Sequence, residues 1–310
     1  MKISVIIPTL NASHYLPRLL GRLSRQTVKP LEIIVIDSAS TDDTPRVAQD
    51  AGVSFLSIPR SEFNHGGTRN RAASSAQGEY LVFLTQDALP MNDHLLQNLV
   101  EPLADDSLTA ISYGRQVAYE GAREIEKFVR AFNYPDKSLR KGRDDIERLG
   151  IKTFFCSNAC AAYNAEVFRS LGGFRADTIM NEDMEYVFRA VQRGYFSYYA
   201  AGASVWHSHD YSISQQFRRY IDIGVFFSCN QDIMRCARNE GEGVKYLTAA
   251  LGVLLGKRCY RDVFHLVVDS MARFAGYRIG LSQGSVPASL MRRISMNTGY
   301  WDTAGAGGKT

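Results

Sequence analysis

Three short apolar runs, each followed directly by polar residues, constrain the fold of this chain most. The runs are Ile3–Ile7, Glu32–Ile36 and Tyr80–Leu84. Runs this short that are rich in Val, Ile or aromatic residues are typical of strands buried in a parallel sheet. We therefore predict that the three runs belong to one α/β sheet.

Helical patterns separate these runs. Leucines recur at helical spacing between residues 16 and 23, and Asp42-Asp43-Thr44-Pro45 is typical of a helix start. An extended segment at Val53–Ile58 and a helix around Thr68–Ala76 precede the third run. This alternation predicts a Rossmann-like, doubly wound, mostly parallel sheet.

Ligands bind at the carboxyl ends of the strands in such a sheet. The three runs end in Pro8–Asn11, Asp37–Ser40 and Thr85–Ala88, so we expect these loops to converge. The Asp37 carboxylate can accept a hydrogen bond from a base N–H or a ribose hydroxyl, and it can equally well cap the following turn. Asp87 can hold Mg²⁺ or Mn²⁺ against a diphosphate, although turn preferences alone favour a turn residue there.

The pattern from residue 108 to 206 is mixed. It predicts strands at Ala110–Tyr113 and Thr153–Cys156 and helices at Asn164–Leu171 and Asp183–Gln192, which together form a second half of the same domain. Beyond His209 the chain is expected to be mainly helical. The Gly-rich end at 305–310 is expected to be frayed.

Composition excludes several classes of protein. A net charge of +4 is too small to indicate a nucleic-acid partner. The five cysteines are odd in number and scattered, which argues against a disulfide framework or structural zinc and fits a reducing cytoplasm. Pro8 interrupts the N-terminal apolar run, so we interpret it as a strand and not a signal peptide. The apolar stretch from Tyr246 to Gly256 is too short to span a membrane.

Four motifs in order resemble glycosyltransferase family 2. They are Ser4–Asn11, Glu32–Thr44, Gly67–Asn70 and Phe83–Ala88. The resemblance implies a GT-A catalytic domain over residues 1–210, with a nucleotide-sugar half at about 1–107 and an acceptor half at about 108–210, and then a helical C-terminal region over 211–310. It further implies a nucleotide-sugar pocket formed by Pro8, Thr9, Asn11, Asp37, Ser40, Gly67, Arg69 and Gln86.

The resemblance also implies a divalent metal, Mg²⁺ or Mn²⁺, held by Asp87. Gln86-Asp87-Ala88 stands where the common family pattern has Asp-x-Asp, which leaves one acid. A late histidine that completes the metal site is a feature of related enzymes, and His207 is our choice, with His209 in reserve. Neutral imidazole is a competent ligand, although an isolated histidine is more often a packing or surface residue.

The family's Glu-Asp motif matches Glu182-Asp183 and implies that Asp183 is the base of an inverting transfer, with Glu182 positioning or tuning it. The alternative is a pair of acids that stabilises a helix start. Gly66 and Gly67 either allow another backbone to approach closely or form a simple turn. Arg69 either binds phosphate oxygens through its planar guanidinium group or is a surface residue.

The sequences of Phe63–Asn70 and Thr85–Pro90 are similar to those of the rhamnosyltransferase branch of the family. It implies dTDP-L-rhamnose as donor, a polyprenyl-diphosphate-linked saccharide as acceptor, and a role in cell-surface polysaccharide synthesis. A transferase using a UDP-sugar and a non-catalytic sugar-binding module are the alternatives. A dinucleotide-dependent oxidoreductase is disfavoured because the first turn lacks a glycine fingerprint.

The last seventy residues are basic. Residues 241–310 carry nine Lys or Arg against four acids, a net of +5. An apolar stripe at helical spacing runs among them: Tyr260, Phe264, Val267, Met271 and Phe274. Such a stripe is either a core face or a surface that contacts anionic lipid on the inner face of the cytoplasmic membrane.

Overall fold

A computed structural model describes residues 1–209, 211–236 and 242–304. The strands in this part of the chain form one nine-stranded sheet in the order β3-β2-β1-β4-β8-β6-β9-β5, with β7 also paired to β9. The strands are β1 (Ile3–Thr9), β2 (Glu32–Asp37), β3 (Ser54–Ser57), β4 (Tyr80–Leu84), β5 (Leu89–Pro90), β6 (Thr109–Val117), β7 (Leu139–Lys141), β8 (Cys160–Asn164) and β9 (Phe196–Trp206).

The described helices run from the first crossover to the C-terminal region. They are α1 (Leu16–Leu23), α2 (Thr44–Asp50), α3 (His65–Ser75), α4 (Leu95–Asp105), α5 (Glu124–Asn133), α6 (Ile146–Leu149), α7 (Ala165–Ser170), α8 (Glu182–Gln192), α9 (Ile213–Cys229), α10 (Gln231–Cys236), α11 (Glu242–Gly256), α12 (Tyr260–Leu281), α13 (Ala288–Ile294) and α14 (Thr298–Ala304).

The first half of the sheet confirms the predicted α/β alternation. Strands β3, β2, β1 and β4 are parallel neighbours, and Thr9 of β1 is in register with Asp37 of β2. Alternate residues of β1 serve the two faces: Val5 packs toward α1 and α4, and Ile6 packs toward α3, α7 and α8. Both faces are therefore covered, and the polar strand ends share one edge.

The second half is mixed in direction. Strand β8 lies antiparallel between β4 and β6, while β6 and β9 are parallel. The predicted strand at Thr153–Cys156 is wrong, because residues 150–154 form a 3₁₀ helix. The buried ammonium of Lys141 holds the carbonyls of Lys152 and Phe155 at 2.9 and 2.7 Å, which fixes this non-extended path.

The mainly helical C-terminal region is confirmed for the described residues. Helices α9 and α12 cross closely because both present glycines: a Cβ on Gly224 would lie 2.4 Å from the carbonyl oxygen of Tyr277, and one on Gly280 would lie 2.1 Å from that of Ile221. The buried Asp222 accepts hydrogen bonds from Ser295 and Asn297, which ties the later chain to α9. The proposed boundary at residue 210 and the Gly-rich end at 305–310 lie outside the described residues.

The apolar stripe of α12 is not a core face. Tyr260, Phe264, Met271 and Phe274 are 66%, 73%, 68% and 68% exposed. The opposite side of α12 packs on α9, and its N-terminal half joins an apolar cluster that includes Ile125 of α5 and Leu254 of α11. None of the described helices is long and apolar enough to traverse a bilayer.

Candidate active site

The first two strand ends form one hydrogen-bonded unit. The carboxylate of Asp37 accepts bonds from the Thr9 hydroxyl at 2.8 Å and from the Ser40 hydroxyl and backbone N–H at 2.5 and 2.8 Å. Asn11 and Ala39 both have left-handed backbones, with φ of 50° and 58°. Asp37 therefore does cap its own turn in this structure, and its contact with a nucleotide stays a prediction.

The third strand end is held to the first by Gln86. Its amide oxygen accepts from the Leu10 N–H at 2.9 Å, and its amide nitrogen donates to the Leu10 carbonyl at 3.2 Å. Pro8, at the end of β1, is paired with Ile36 and half-buried. The three loops therefore lie together at one sheet edge, and Gln86 positions the loop that carries Asp87.

Asp87 lies beside two histidines that follow β9. One carboxylate oxygen is 3.4 Å from Nε2 of His207, and the other is 3.7 Å from Nδ1 of His209. Burial alone would raise the pKa of Asp87, but the hydrogen bond and charge of His207 hold it well below its ordinary value. Burial lowers the pKa of His209 to about 4, so His209 is a neutral imidazole.

The amide of Gln116 determines the tautomer of His207. Its oxygen accepts from Arg130 Nη1 at 2.5 Å and faces His207 Nδ1 at 2.8 Å. Because arginine only donates, this atom is the acceptor and Nδ1 carries the proton. Nε2 is therefore the ring nitrogen that faces the Asp87 carboxylate: as an N–H it donates to that carboxylate, and without its proton it offers a lone pair to a metal ion.

The donor set fits a divalent metal. One ligand atom each from Asp87, His207 and His209 lie within 4.8 Å of one another. Two imidazoles and one carboxylate suit a transition ion such as Mn²⁺ better than Mg²⁺, which prefers oxygen ligands. Among our sequence candidates, the structure thus brings together Asp87, the chosen histidine and the reserve histidine.

Glu182 and Asp183 begin α8 and contact a shared residue, Asn158. The backbone N–H of Asn158 donates to Asp183 at 2.9 Å, and its side-chain amide donates to Glu182 at 3.0 Å. Burial and the neighbouring charge of Glu182 raise the pKa of Asp183 to about 7. This gives a half-buried carboxylate a pKa suited to a general base.

Glu182 remains ionised although it is buried. Burial would raise its pKa, but the guanidinium of Arg69 at 3.2 Å, together with His65, lowers it. Arg69 is itself buried, so the interpretation of Arg69 as a surface residue is wrong. The close approach expected at the glycines is made by Gly66, where a Cβ would lie 2.2 Å from the Arg175 carbonyl oxygen, and Gly67 has ordinary clearance.

The metal-type cluster and the acid pair are connected through one segment. Ser157 accepts a hydrogen bond from Gln116 at 2.8 Å, and the next residue, Asn158, holds the acid pair. The N–H of Thr85 donates to the Ala159 carbonyl at 3.2 Å, which joins the Asp87 loop to the same segment. A cavity of about 320 Å³ opens beside Asp87. Asp183 does not line this cavity. It is connected to the Asp87 cluster by the hydrogen bonds of Ser157 and Asn158.

A sequence model described as "Glycosyl transferase family 2" matches residues 4–172, more than half of the chain. The chain belongs to this family. It is therefore a glycosyltransferase, as the resemblance of the four sequence motifs implied. The matched segment contains the three loops, Gln116 and Asn158. Asp183 and the two histidines lie beyond the matched segment.

Two relatives of this glycosyltransferase are rhamnosyltransferases by name. The chain is 40% identical over 305 residues to "O-antigen chain rhamnosyltransferase RfbN" of Salmonella typhimurium, covering 97% of this chain and 96% of that protein. A second relative, "O-antigen chain rhamnosyltransferase WbaN" of Salmonella anatum, is 40% identical over 302 residues, covering 96% and 95%. Each is matched over nearly its whole length.

Two solved structures share the architecture of this glycosyltransferase. The mannosyltransferase PcManGT from Pyrobaculum calidifontis, in complex with GDP-Man and Mn²⁺, has a TM-score of 0.58 at 19% identity, covering 98% of this chain and 86% of that one. S. aureus TarS 1–349 in complex with UDP has a TM-score of 0.55 at 16% identity, covering 82% and 71%. At these identities the likeness shows the fold alone.

Sequence reasoning missed two residues of this glycosyltransferase site. Gln116 lies in β6 and Asn158 lies in the loop before β8, and neither belongs to a recognisable motif. Gln116 carried one weak signal, because it is a polar residue near the end of a strand that is otherwise mostly apolar. Asn158 carried none, since its role depends on α8 lying against its loop.

Proposed function

We propose that this enzyme transfers L-rhamnose from dTDP-L-rhamnose, with inversion, to a saccharide linked to a polyprenyl diphosphate, in the synthesis of a cell-surface polysaccharide such as O-antigen. The observation that carries this proposal is the connection of the Asp87–His207–His209 cluster to the Glu182–Asp183 pair through Ser157 and Asn158. The donor sugar is proposed from the two rhamnosyltransferase relatives.

Asp183 is the proposed catalytic base. It accepts the proton of the acceptor hydroxyl as the hydroxyl oxygen bonds to the anomeric carbon, and the bond from that carbon to the diphosphate oxygen breaks on the opposite face. The nucleoside diphosphate leaves with the electron pair. Backbone N–H groups of Asn158 and Met184 each bond one oxygen of Asp183, at 2.9 and 2.8 Å, and so orient it.

Glu182 and Arg69 keep this base in its working state. The negative charge of Glu182 helps to hold the pKa of Asp183 near neutrality, and Arg69 keeps Glu182 ionised. The nucleotide is proposed to bind along the joined loops, against Pro8, Thr9, Asn11, Asp37, Ser40, Gly67 and Gln86. Arg69 is also a proposed phosphate contact, although its Nη1 already bonds Glu182 and the His65 carbonyl.

Asp87, His207 and His209 are the proposed ligands of a divalent metal, for which Mn²⁺ is our first choice. When bound, such an ion supplies positive charge that stabilises the leaving diphosphate. Gln116 keeps the Nε2 lone pair of His207 directed at the site.

The enzyme is proposed to act in the cytoplasm, attached peripherally to the inner face of the membrane. The exposed stripe of α12 supports this location, and a lipid-linked acceptor requires it. Salt-sensitive binding of the purified protein to anionic liposomes is the expected result, and no binding at any salt concentration would contradict it.

A transfer assay tests the reaction itself. The purified enzyme, supplied with Mn²⁺ and a lipid-linked acceptor, is expected to release dTDP from dTDP-rhamnose and to add rhamnose with inverted anomeric configuration. Release of UDP from a UDP-hexose instead would overturn the donor. Binding of nucleotide sugars with no transfer to any acceptor would overturn the enzymatic function in favour of a binding module.

A further inference from the structure

A basic cavity opens where α11 turns into α12. Its volume is about 590 Å³, and its lining includes Arg123, Arg258, Tyr260, Arg261, Asp262 and His265. Arg258 and Arg261 line it with one carboxylate, that of Asp262, so these residues give the cavity an excess of positive charge. This cavity is separate from the candidate active site, whose residues do not line it.

Two of these arginines have no protein partner that would account for their position. Within the described ranges, neither Arg258 nor Arg261 forms an ion pair or a side-chain hydrogen bond. The left-handed backbone of Arg258, with φ of 56°, ends α11, and the N–H of Cys259 bonds the carbonyl of Leu254 at 2.9 Å. Two cations without a protein partner at the wall of one cavity suggest a ligand with negative charge.

The cavity is continuous with the exposed stripe of α12. Tyr260 belongs to both, and Phe264 follows it one helical turn later, 73% exposed. Apolar side chains that insert below the level of lipid headgroups, next to cations at that level, are the arrangement of an interfacial helix. The planar arginine fork matches phosphate oxygens in particular.

We propose that this cavity binds the phosphate of an anionic phospholipid headgroup while the α12 stripe inserts among the acyl chains. This inference rests on the proposed membrane attachment and specifies its binding site. The site also fixes which side of the enzyme faces the membrane. Arg123 immediately precedes α5, and Arg130 lies about 10 Å further along that helix. Arg130 bonds the Gln116 amide that supports His207. One helix thus links the lipid site to the candidate active site.

A second copy of the chain is the competing occupant. The stripe repeats at alternating intervals of four and three residues, which is the spacing of a coiled-coil seam. Charge disfavours that pairing, because α12 offers no exposed carboxylate to a partner's Arg258 and Arg261. Asp262 is half-buried in the cavity, and Asp269 is buried and paired with Arg273 at 2.6 Å.

Vesicle binding by charge-preserving variants tests the site. The full chain and the variants Arg258→Lys, Arg261→Lys and Arg278→Lys are titrated with vesicles of phosphatidylcholine, alone or mixed with phosphatidylglycerol. Arg278 is the matched control, since it is exposed on α12, the helix of Arg261, but does not line the cavity. Circular dichroism and thermal unfolding confirm that each variant is folded.

We expect the unsubstituted protein to bind only the mixed vesicles. Arg258→Lys and Arg261→Lys should each weaken that binding about fivefold, because lysine keeps the charge but loses one hydrogen bond of the arginine fork to phosphate, worth about 1 kcal/mol. Arg278→Lys should change it less than about twofold. Equal binding by all three variants would overturn the phosphate site and leave non-specific attachment.

Other outcomes separate the two proposals. If the unsubstituted protein binds no vesicles and sediments as a dimer that Phe264→Ser dissociates, the stripe is a protein interface and both the lipid site and the membrane attachment are wrong. The transfer reaction is measured independently with the soluble acceptor. Its failure would overturn the proposed function without affecting the vesicle result.

Discussion

The side-chain oxygen of Gln116 lies 2.8 Å from Nδ1 of His207 and determines which ring nitrogen faces Asp87. The same oxygen is bonded by Arg130, so it acts only as an acceptor. The imidazole is thereby held in the tautomer that presents a lone pair to the metal-type cluster. Partners of this kind orient metal ligands and raise their basicity.

Replacement of Gln116 by leucine should weaken metal binding. Without the amide oxygen, His207 loses its fixed tautomer and orientation, and affinity for Mn²⁺ in the presence of dTDP should fall by about 10- to 100-fold. Isothermal titration with Mn²⁺ measures this directly. Gln77→Leu, at an exposed position on the chain, is the control, and equal affinity in both variants would contradict the role of Gln116.

Removal of Arg69 should destabilise the fold strongly. Arg69 and Glu182 are only 7% and 6% exposed, so Arg69→Ala leaves a buried carboxylate without its cation. The free energy of unfolding should fall by about 3–5 kcal/mol. Arg71→Ala on the same helix breaks an exposed pair with Glu62 and should cost less than about 1 kcal/mol. Urea unfolding of both variants makes the comparison, and similar losses would contradict it.

The two adjacent glycines of α3 should respond oppositely to alanine. Gly66→Ala places a methyl group against the carbonyl of Arg175, and overpacking of this kind costs about 1–3 kcal/mol. Gly67→Ala meets only ordinary contacts and should be neutral or slightly stabilising, because alanine favours a helix. Thermal unfolding of the two variants distinguishes them. A stable Gly66→Ala protein would contradict the packing described at this position.

The first half of the fold could be predicted because each strand there is a compact apolar run that ends in a motif. The second half could be predicted only in part: the strand at Ala110–Tyr113 and the helices at Asn164–Leu171 and Asp183–Gln192 are confirmed, but the strand at Thr153–Cys156 is wrong and β8 was missed. Strand β8 reads Cys-Ala-Ala-Tyr-Asn, and alanine is weak in strands on propensity alone. Its small residues suit a central position, since Ala161 and Ala162 are fully buried in opposite core layers. Thr153–Cys156 has the stronger strand propensity, but tertiary contacts from Lys141 override it.

The candidate site likewise contains residues that the sequence predicted and residues that it did not. Motif residues such as Asp87, Glu182 and Asp183 were predictable because a known chemistry requires them at known places in the fold. Gln116, Asn158 and their partners act through contacts between segments distant in sequence, and a single sequence contains no signal for such contacts. The burial of Arg69 was also unpredictable, since it depends on where α8 meets α3.

The pH dependence of transfer should follow Asp183. A raised pKa of about 7 means that the carboxylate is protonated, and so unable to accept a proton, as the pH falls below that value. The value of kcat/KM should therefore drop about tenfold per pH unit below neutrality. Binding of dTDP-rhamnose, measured at the same pH values, should change far less. A rate that stays constant down to about pH 5, near the ordinary carboxyl pKa, would contradict this assignment.

The most direct test of the account is the Asp183→Asn variant, measured for both donor binding and rhamnose transfer. Asparagine preserves the shape of the side chain but cannot accept the acceptor's proton. Asp177→Asn, at an exposed position in the loop before α8, is the control. We predict that Asp183→Asn binds dTDP-rhamnose and Mn²⁺ normally and transfers at least about 1000-fold more slowly. Near-normal turnover by this variant would contradict the proposed mechanism.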